Sequence, residues 1–112
     1  MSPKDKPLVW LHGEVKSPPF SAEARLLAGY LLRLLQKGEK LEMPQSRAMP
    51  SIGKNCHELR VRDGDVTWRI IYQIRSDVIL ILAVFKYKTQ ATRKQEITNC
   101  QDRIKSYVDL IK

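Results

Sequence analysis

The chain has 112 residues, 43% of them apolar and 29% charged, with a formal net charge of +8. That apolar content separates it from disordered tails, and the length predicts one compact domain with a real core. The longest apolar run, residues 78–85, is far short of the roughly 20 residues that span a bilayer.

The positive balance predicts attraction to a polyanion, with nucleic acid the default. A basic surface kept for solubility is the plain alternative. The opening "MSPKDKPLVW" lacks the apolar centre and small-residue cleavage pattern of a signal peptide. Cys56 and Cys100 stand alone, with no CxxC pair, and read as reduced, partly buried small side chains. The expected compartment is the cytoplasm.

In chain order, "LVWL" (8–11) predicts a short first strand. Pro18 and Pro19 then block helix, and Ser21 offers an N-cap. Residues 22–37 have helical spacing, with Leu27, Leu31, Leu34 and Leu35 on one face and Arg25, Gly29, Arg33 and Lys37 recurring opposite. Gly38 is the natural stop. Residues 39–53, with two prolines and no period, predict a long loop. Three strands follow. "CHELRVR" (56–62) alternates and ends at an Asp63-Gly64 turn. "TWRIIYQI" (67–74) alternates, with Trp68, Ile70, Tyr72 and Ile74 on one face, and "VILILAVF" (78–85) is apolar throughout, as a strand covered on both faces would be. Thr92 and Gln95 form a capping box for a terminal helix whose apolar stripe is Ile97, Cys100, Ile104, Tyr107/Val108 and Ile111. The order β-α-β-β-β-α predicts an α+β fold, an antiparallel sheet with helices packed on one face and a core between about residues 8 and 108.

Strand parity then sorts the polar side chains. In the second predicted strand Leu59 and Val61 take the helix-packed face, so Glu58, Arg60 and Arg62 take the other. In the third, Trp68, Ile70 and Tyr72 claim the core and leave Arg69 beside Glu58 and Arg60. Lys86 and Lys88 follow the last strand, so one open sheet face is expected to carry Glu58, Arg60, Arg69 and one or both lysines. A solvated face with salt bridges is the ordinary reading, but exposed pairs contribute only about 0–1 kcal/mol, a weak reason for such crowding. Arg93 and Lys94 also stand in the first turn of the last helix, the unfavourable end of its dipole for cations, with Glu96 offsetting this in part.

The stretch "CHELRVRDGDVTWRIIY", followed by "VFKYKTQATRK", resembles the RelE/ParE toxin superfamily, and within it the HigB-like, phage-derived branch. That branch reads L-hydrophobic-E-L-R, then R-I-x-Y, then F-x-K-K-T-Q-x-T-P. The likeness runs over residues 8–107 in element order and is motif-specific over 54–94. It departs in two places: Tyr87 splits the paired lysines, and Arg93 stands where a proline follows Thr92. The resemblance implies a RelE-like domain acting as the toxin of a type II toxin–antitoxin system. Such toxins are usually ribonucleases that cut messenger RNA in the ribosomal A site without a metal or other cofactor, partnered by a small antitoxin that often carries a helix-turn-helix. It makes Arg69 the phosphate-binding arginine and Lys88 the cation that stabilises or protonates the leaving group. Glu58 and Arg60 match a pair where relatives place two lysines or a catalytic glutamate. Lys54, Lys86, Tyr87, Gln90 and Arg93 complete the expected RNA-binding set.

The chemistry is coherent by itself. RNA carries its own nucleophile, the 2′-hydroxyl, so cleavage needs a base, cations for the charge building on phosphorus, and a proton for the 5′-oxygen. Glu58 is the candidate base, Arg60 and Arg69 the phosphate forks, and Lys88 the donor or stabiliser. A carboxylate ringed by cations is a weak base, so slow cleavage of free RNA and dependence on a partner that orients it are expected. His57 has the better intrinsic pKa for acid–base work, but parity turns it toward Leu59 and a packed role unless the strand bulges. His12 reads as structural. Trp68 and Tyr72 read as core, whereas Tyr87 either stacks on a base or covers the sheet edge. Lys54 and Arg47 add backbone contacts or are simply solvated. Adjacent Cys56 and His57 point to opposite faces and no ligand spacing recurs, so no metal site is expected. Two other functions share this scaffold: a ParE-like gyrase inhibitor acting by protein contact, and a non-catalytic RNA- or protein-binding module.

Overall fold

The computed structural model describes residues 5–11, 20–87 and 94–111, and for Tyr87 the backbone alone. Its elements are β1 (Leu8–Trp10), α1 (Ala22–Gln36), β2 (Ser46–Ala48), β3 (Cys56–Asp63), β4 (Val66–Ile74), β5 (Ile79–Tyr87) and α2 (Lys94–Ile111). Ser21 caps α1 as expected, its hydroxyl accepting the Ala24 N–H at 3.1 Å, and Gly38 stops the helix with a φ of 90°. Gly64, with a φ of 61°, makes the two-residue turn closed by the Asp63–Val66 pair. His12, Pro18, Pro19 and the capping residue Thr92 lie outside the described residues.

Five strands form one sheet in the order β1-β5-β4-β3-β2. The α+β class is as expected, but two details differ. The sheet is mixed, because β1 pairs with β5 in parallel while the other neighbours are antiparallel; the long chain between β1 and β5, helix included, supplies the crossover that a parallel pair requires. The helices also lie on opposite faces rather than on one. Ala24, Ala28, Leu31, Leu32 and Leu35 of α1 pack on Leu59, Val61, Ile70, Tyr72, Ile79 and Ile81. Ile97, Cys100, Ile104 and Tyr107 of α2 pack on Cys56, Ile71, Leu80, Leu82 and Ala83, together with Met49 and Ile52. The reason is in β5, where Leu80, Ile81, Leu82 and Ala83 have no exposed surface. A strand apolar on both sides needs a cover over each.

A register shift in β5 changes side-chain parity. Ile71 pairs with Ala83 and Tyr72 with Ile81, which skips Leu82. Arg103 of α2 donates to the Leu82 carbonyl at 2.6 Å, and Gln101 donates to the Ser51 carbonyl at 2.9 Å, so α2 is tied to the bulge and to the loop before β3. After the bulge, Val84 and Lys86 face α1. β5 also runs two residues past the predicted end at Phe85, with Lys86 opposite Trp68 and Tyr87 opposite Thr67. Among the described residues no helix is long and apolar enough to cross a membrane.

The β2 strand lies within the predicted loop. Backbone bonds from Met49 N to Cys56 O and from Arg60 N to Gln45 O, both 2.8 Å, hold its two ends against β3. Ser46 is buried and hydrogen-bonds the Tyr72 hydroxyl at 2.7 Å. His57 turns to this same face and stacks on Tyr72, with ring centroids 5.3 Å apart. Burial lowers its pKa from the usual 6.5. The unfolded chain therefore binds the proton more readily, and this contribution to stability, complete above about 6.5, is lost as pH falls below it toward the folded value. The urea midpoint is expected to fall with pH across that window and to fall less steeply in His57→Phe. An unchanged slope in the variant would remove His57 as the titrating group.

Candidate functional site

Parity does bring Glu58, Arg60 and Arg69 together. Arg60 and Arg69 are direct cross-strand partners, a pairing of like charges that is unfavourable by itself. The carboxylate of Glu58, two residues before Arg60 on the same face of β3, sits between them. Its Oε2 accepts from Arg69 Nη1 at 3.3 Å, and its Oε1 from Arg60 Nε at 3.2 Å. A third arginine comes from β2. Arg47 pairs with Glu58 in register, and its Nη2 reaches the same Oε1 at 3.3 Å.

The four residues form a gradient from core to surface. Glu58 has no exposed side-chain surface and Arg69 only 2%, whereas Arg60 has 19% and Arg47 35%. Among the described residues three guanidiniums meet the Glu58 carboxylate. These contacts, at 3.2–3.3 Å, are longer than the roughly 2.7–2.9 Å of a tight charged fork, as fits a carboxylate shared among several arginines. Arg62, exposed and on the same face of β3, extends the basic row beyond Arg60. Phe85 of β5 is paired with Arg69 on its other side.

The remaining expected residues divide. Lys86, expected with Glu58, stands on the other face because of the Leu82 bulge, its Nζ 5.4 Å from the Trp68 ring centroid. There it adds to the Ser21 and Trp68 hydrogen bonds that hold the Asp63 carboxyl below its usual pKa. Lys54 is exposed before β3 and lines a polar cleft of about 470 Å³ with Gln73 and Arg75, apart from the arginine cluster. Tyr87 is placed by its backbone alone, opposite Thr67. Lys88, Gln90 and Arg93 lie outside the described residues. Arg47, assigned only to a loop by its sequence, is the member that sequence reasoning left out of the cluster. Its one signal, a three-residue strand between Pro44 and Pro50, is too short to show a period.

Cys56 and Cys100 are buried, and burial pushes their thiols up to about 11 and about 12, so both behave as packed small groups at neutral pH. Among the described residues no group of three or more His, Cys, Asp or Glu is placed to hold a metal ion.

Glu58 is the counter-ion of a buried arginine. Removing it leaves Arg69 charged in the sheet, and breaking a buried pair from one side costs about 3–5 kcal/mol. Glu58→Ala is expected to lose that much in urea unfolding, while Glu58→Met combined with Arg69→Met recovers most of it. A single variant as stable as the parent would show that the carboxylate is not needed inside the sheet.

A model of the Gp49-like, phage-derived protein family (DUF891) matches residues 19–105, a span that includes every member of the Glu58 cluster. Neither the curated proteins nor the solved structures contain a match. The chain belongs to the Gp49-like phage-derived family, within the RelE/HigB-like toxin superfamily.

Proposed function

We propose that this protein is the toxin of a type II toxin–antitoxin pair and that it cuts messenger RNA on the ribosome by attack of the RNA's own 2′-hydroxyl. Family membership supports a toxin with an antitoxin partner. The observation that carries the finer reading is the Glu58 cluster, in which three arginines from three strands share a single carboxylate.

In this reading the 2′-oxygen bonds to phosphorus and the bond from phosphorus to the 5′-oxygen breaks. A 2′,3′-cyclic phosphate and a 5′-hydroxyl result; one proton leaves the 2′-oxygen and one joins the 5′-oxygen. Negative charge grows on the non-bridging oxygens along the way, and preorganised guanidiniums beside them act where such stabilisation is largest. Arg60 meets the phosphate, and the buried Arg69 braces the cluster from below. Glu58, closed from solvent with both oxygens on arginines, serves as the positioning group that fixes those forks. The 2′-hydroxyl proton then passes to solvent rather than to a strong side-chain base, which fits an enzyme that leans on the ribosome to orient its substrate. Lys88 remains the candidate partner for the 5′-oxygen.

Primer-extension mapping of cellular transcripts after induction tests this. Cuts within reading frames are expected, with a rate about 100-fold lower in Arg60→Ala, the scale of losing one transition-state donor. Intact transcripts alongside relaxed or broken DNA would instead mark a gyrase inhibitor.

A further inference from the structure

We infer that Arg75 and Lys54 form a second phosphate site, which takes a phosphate of the bound RNA away from the bond that is cut. The identity of the ligand rests on the nuclease reading above; the site itself uses no member of the Glu58 cluster. It begins with a buried glutamine. Gln73 is 8% exposed and stands in register with Cys56 on one side and Leu80 on the other. Burying an amide is costly unless it is hydrogen-bonded, and an apolar side chain would fill this position without that demand. Both ends of the amide are engaged. Its Nε2 donates to the Lys54 carbonyl at 3.1 Å, and its Oε1 accepts from Arg75 Nη1 at 3.1 Å. One side chain thus ties together the two segments that carry the cations.

The backbone fixes those segments as well. Asn55 adopts a φ of 61°, and its carbonyl accepts the Ile74 N–H at 3.0 Å. Arg75 N donates to the Val78 carbonyl at 2.9 Å and closes the turn between β4 and β5. The Arg75 guanidinium also lies over the Tyr107 ring of α2, 5.6 Å from its centroid, a contact that holds the group without using an N–H donor. Lys54, Asn55, Arg75, Ser76 and Asp77 line the resulting cleft of about 470 Å³, the size of a small-ligand site. Among the described residues Asp77, the one carboxylate in that lining, forms no ion pair with Lys54 or Arg75. A guanidinium held along one edge beside an exposed ammonium suits a phosphate group, with directed donors from one and a point charge from the other. Gln73 shares its face of β4 with Arg69, so the cleft opens on the cluster's side of the sheet. Arg75 stands roughly 20 Å of strand beyond Arg69, so the phosphate it meets is not the scissile one.

The test uses the full chain and a single-stranded RNA carrying 2′-O-methyl groups, which cannot be cut by 2′-attack. Binding is measured by fluorescence anisotropy across a salt series. Cutting of an unmodified transcript in a translating extract is measured in parallel over a range of protein concentrations. For single strands each neutralised phosphate contributes a slope of about −0.7 in the plot of log affinity against log salt. Because both cations meet the same phosphate, Lys54→Gln combined with Arg75→Gln is expected to reduce the slope by about 0.7 and not by twice that. Lys37→Gln, an equal loss of exposed charge at the end of α1, is expected to leave it parental. The double variant should need more protein to cut but reach the parental maximum rate, whereas Arg60→Ala lowers the maximum itself. If Arg75→Gln does not fold, Lys54→Gln alone carries the test, since an exposed lysine does not support the fold; it must weaken RNA binding more than Lys37→Gln does. A parental slope in the double variant overturns the site, and the nuclease reading stands if Arg60→Ala still stops cutting. An equal loss in Lys37→Gln also overturns it, because the effect is then one of general surface charge. If the parent cuts no transcript while the double variant alone loses the slope, the nuclease reading falls and the site stands. If the double variant keeps the RNA slope and loses only the binding of an acidic peptide, the cleft belongs to a protein partner and the inference is wrong.

Discussion

A fully buried carboxylate within a β-sheet dictates much of what surrounds it. Glu58 has no exposed surface, and an ionised carboxylate in that position requires compensation by charges placed at the same depth. Arg69 supplies the first of these from β4 and is nearly as buried. Because Arg69 is also the direct cross-strand partner of Arg60, the same carboxylate that needs cations is what permits two of them to face each other. The pair and its counter-ion are mutually required, which makes this part of the sheet stiff in composition as well as in shape.

Among the described residues Glu58 meets three arginines, and these become more exposed from β4 to β3 to β2. The architecture leaves this gradient uncovered by the second helix. α2 covers the apolar part of that sheet face, over Leu80, Leu82 and Ala83, and is tied there by Arg103 to the bulge carbonyl. The arginine cluster occupies the β3–β4 side of the same face.

Much of this was legible in the sequence because a strand's period is two. Glu58 and Arg60 alternate with Leu59 and Val61, and Arg69 alternates with Trp68 and Ile70, so parity alone put the acid and two of its arginines on one face. The same rule turned His57 toward the α1 face, where it stacks on Tyr72. What parity could not show lay where it has nothing to read. The run 79–84 is apolar at every position, so the skipped Leu82, and with it the reversal that carries Lys86 over to Trp68, left no mark in the pattern. That run did announce cover on both faces, which already argued against placing both helices on one. Arg47 was hidden for a different reason: β2 has three residues, no period, and a register fixed by backbone bonds to β3 that only the folded chain makes.

The central claim is that this surface stabilises charge on a phosphodiester while the RNA supplies its own nucleophile. The chemical nature of the cut ends tests it most directly. Purified protein would be added to translating ribosomes and both fragments of a labelled transcript analysed by mass. A 2′,3′-cyclic phosphate on the upstream piece and a 5′-hydroxyl on the downstream piece are the ends the account predicts; a 3′-hydroxyl with a 5′-phosphate, or transcripts left whole, would contradict it.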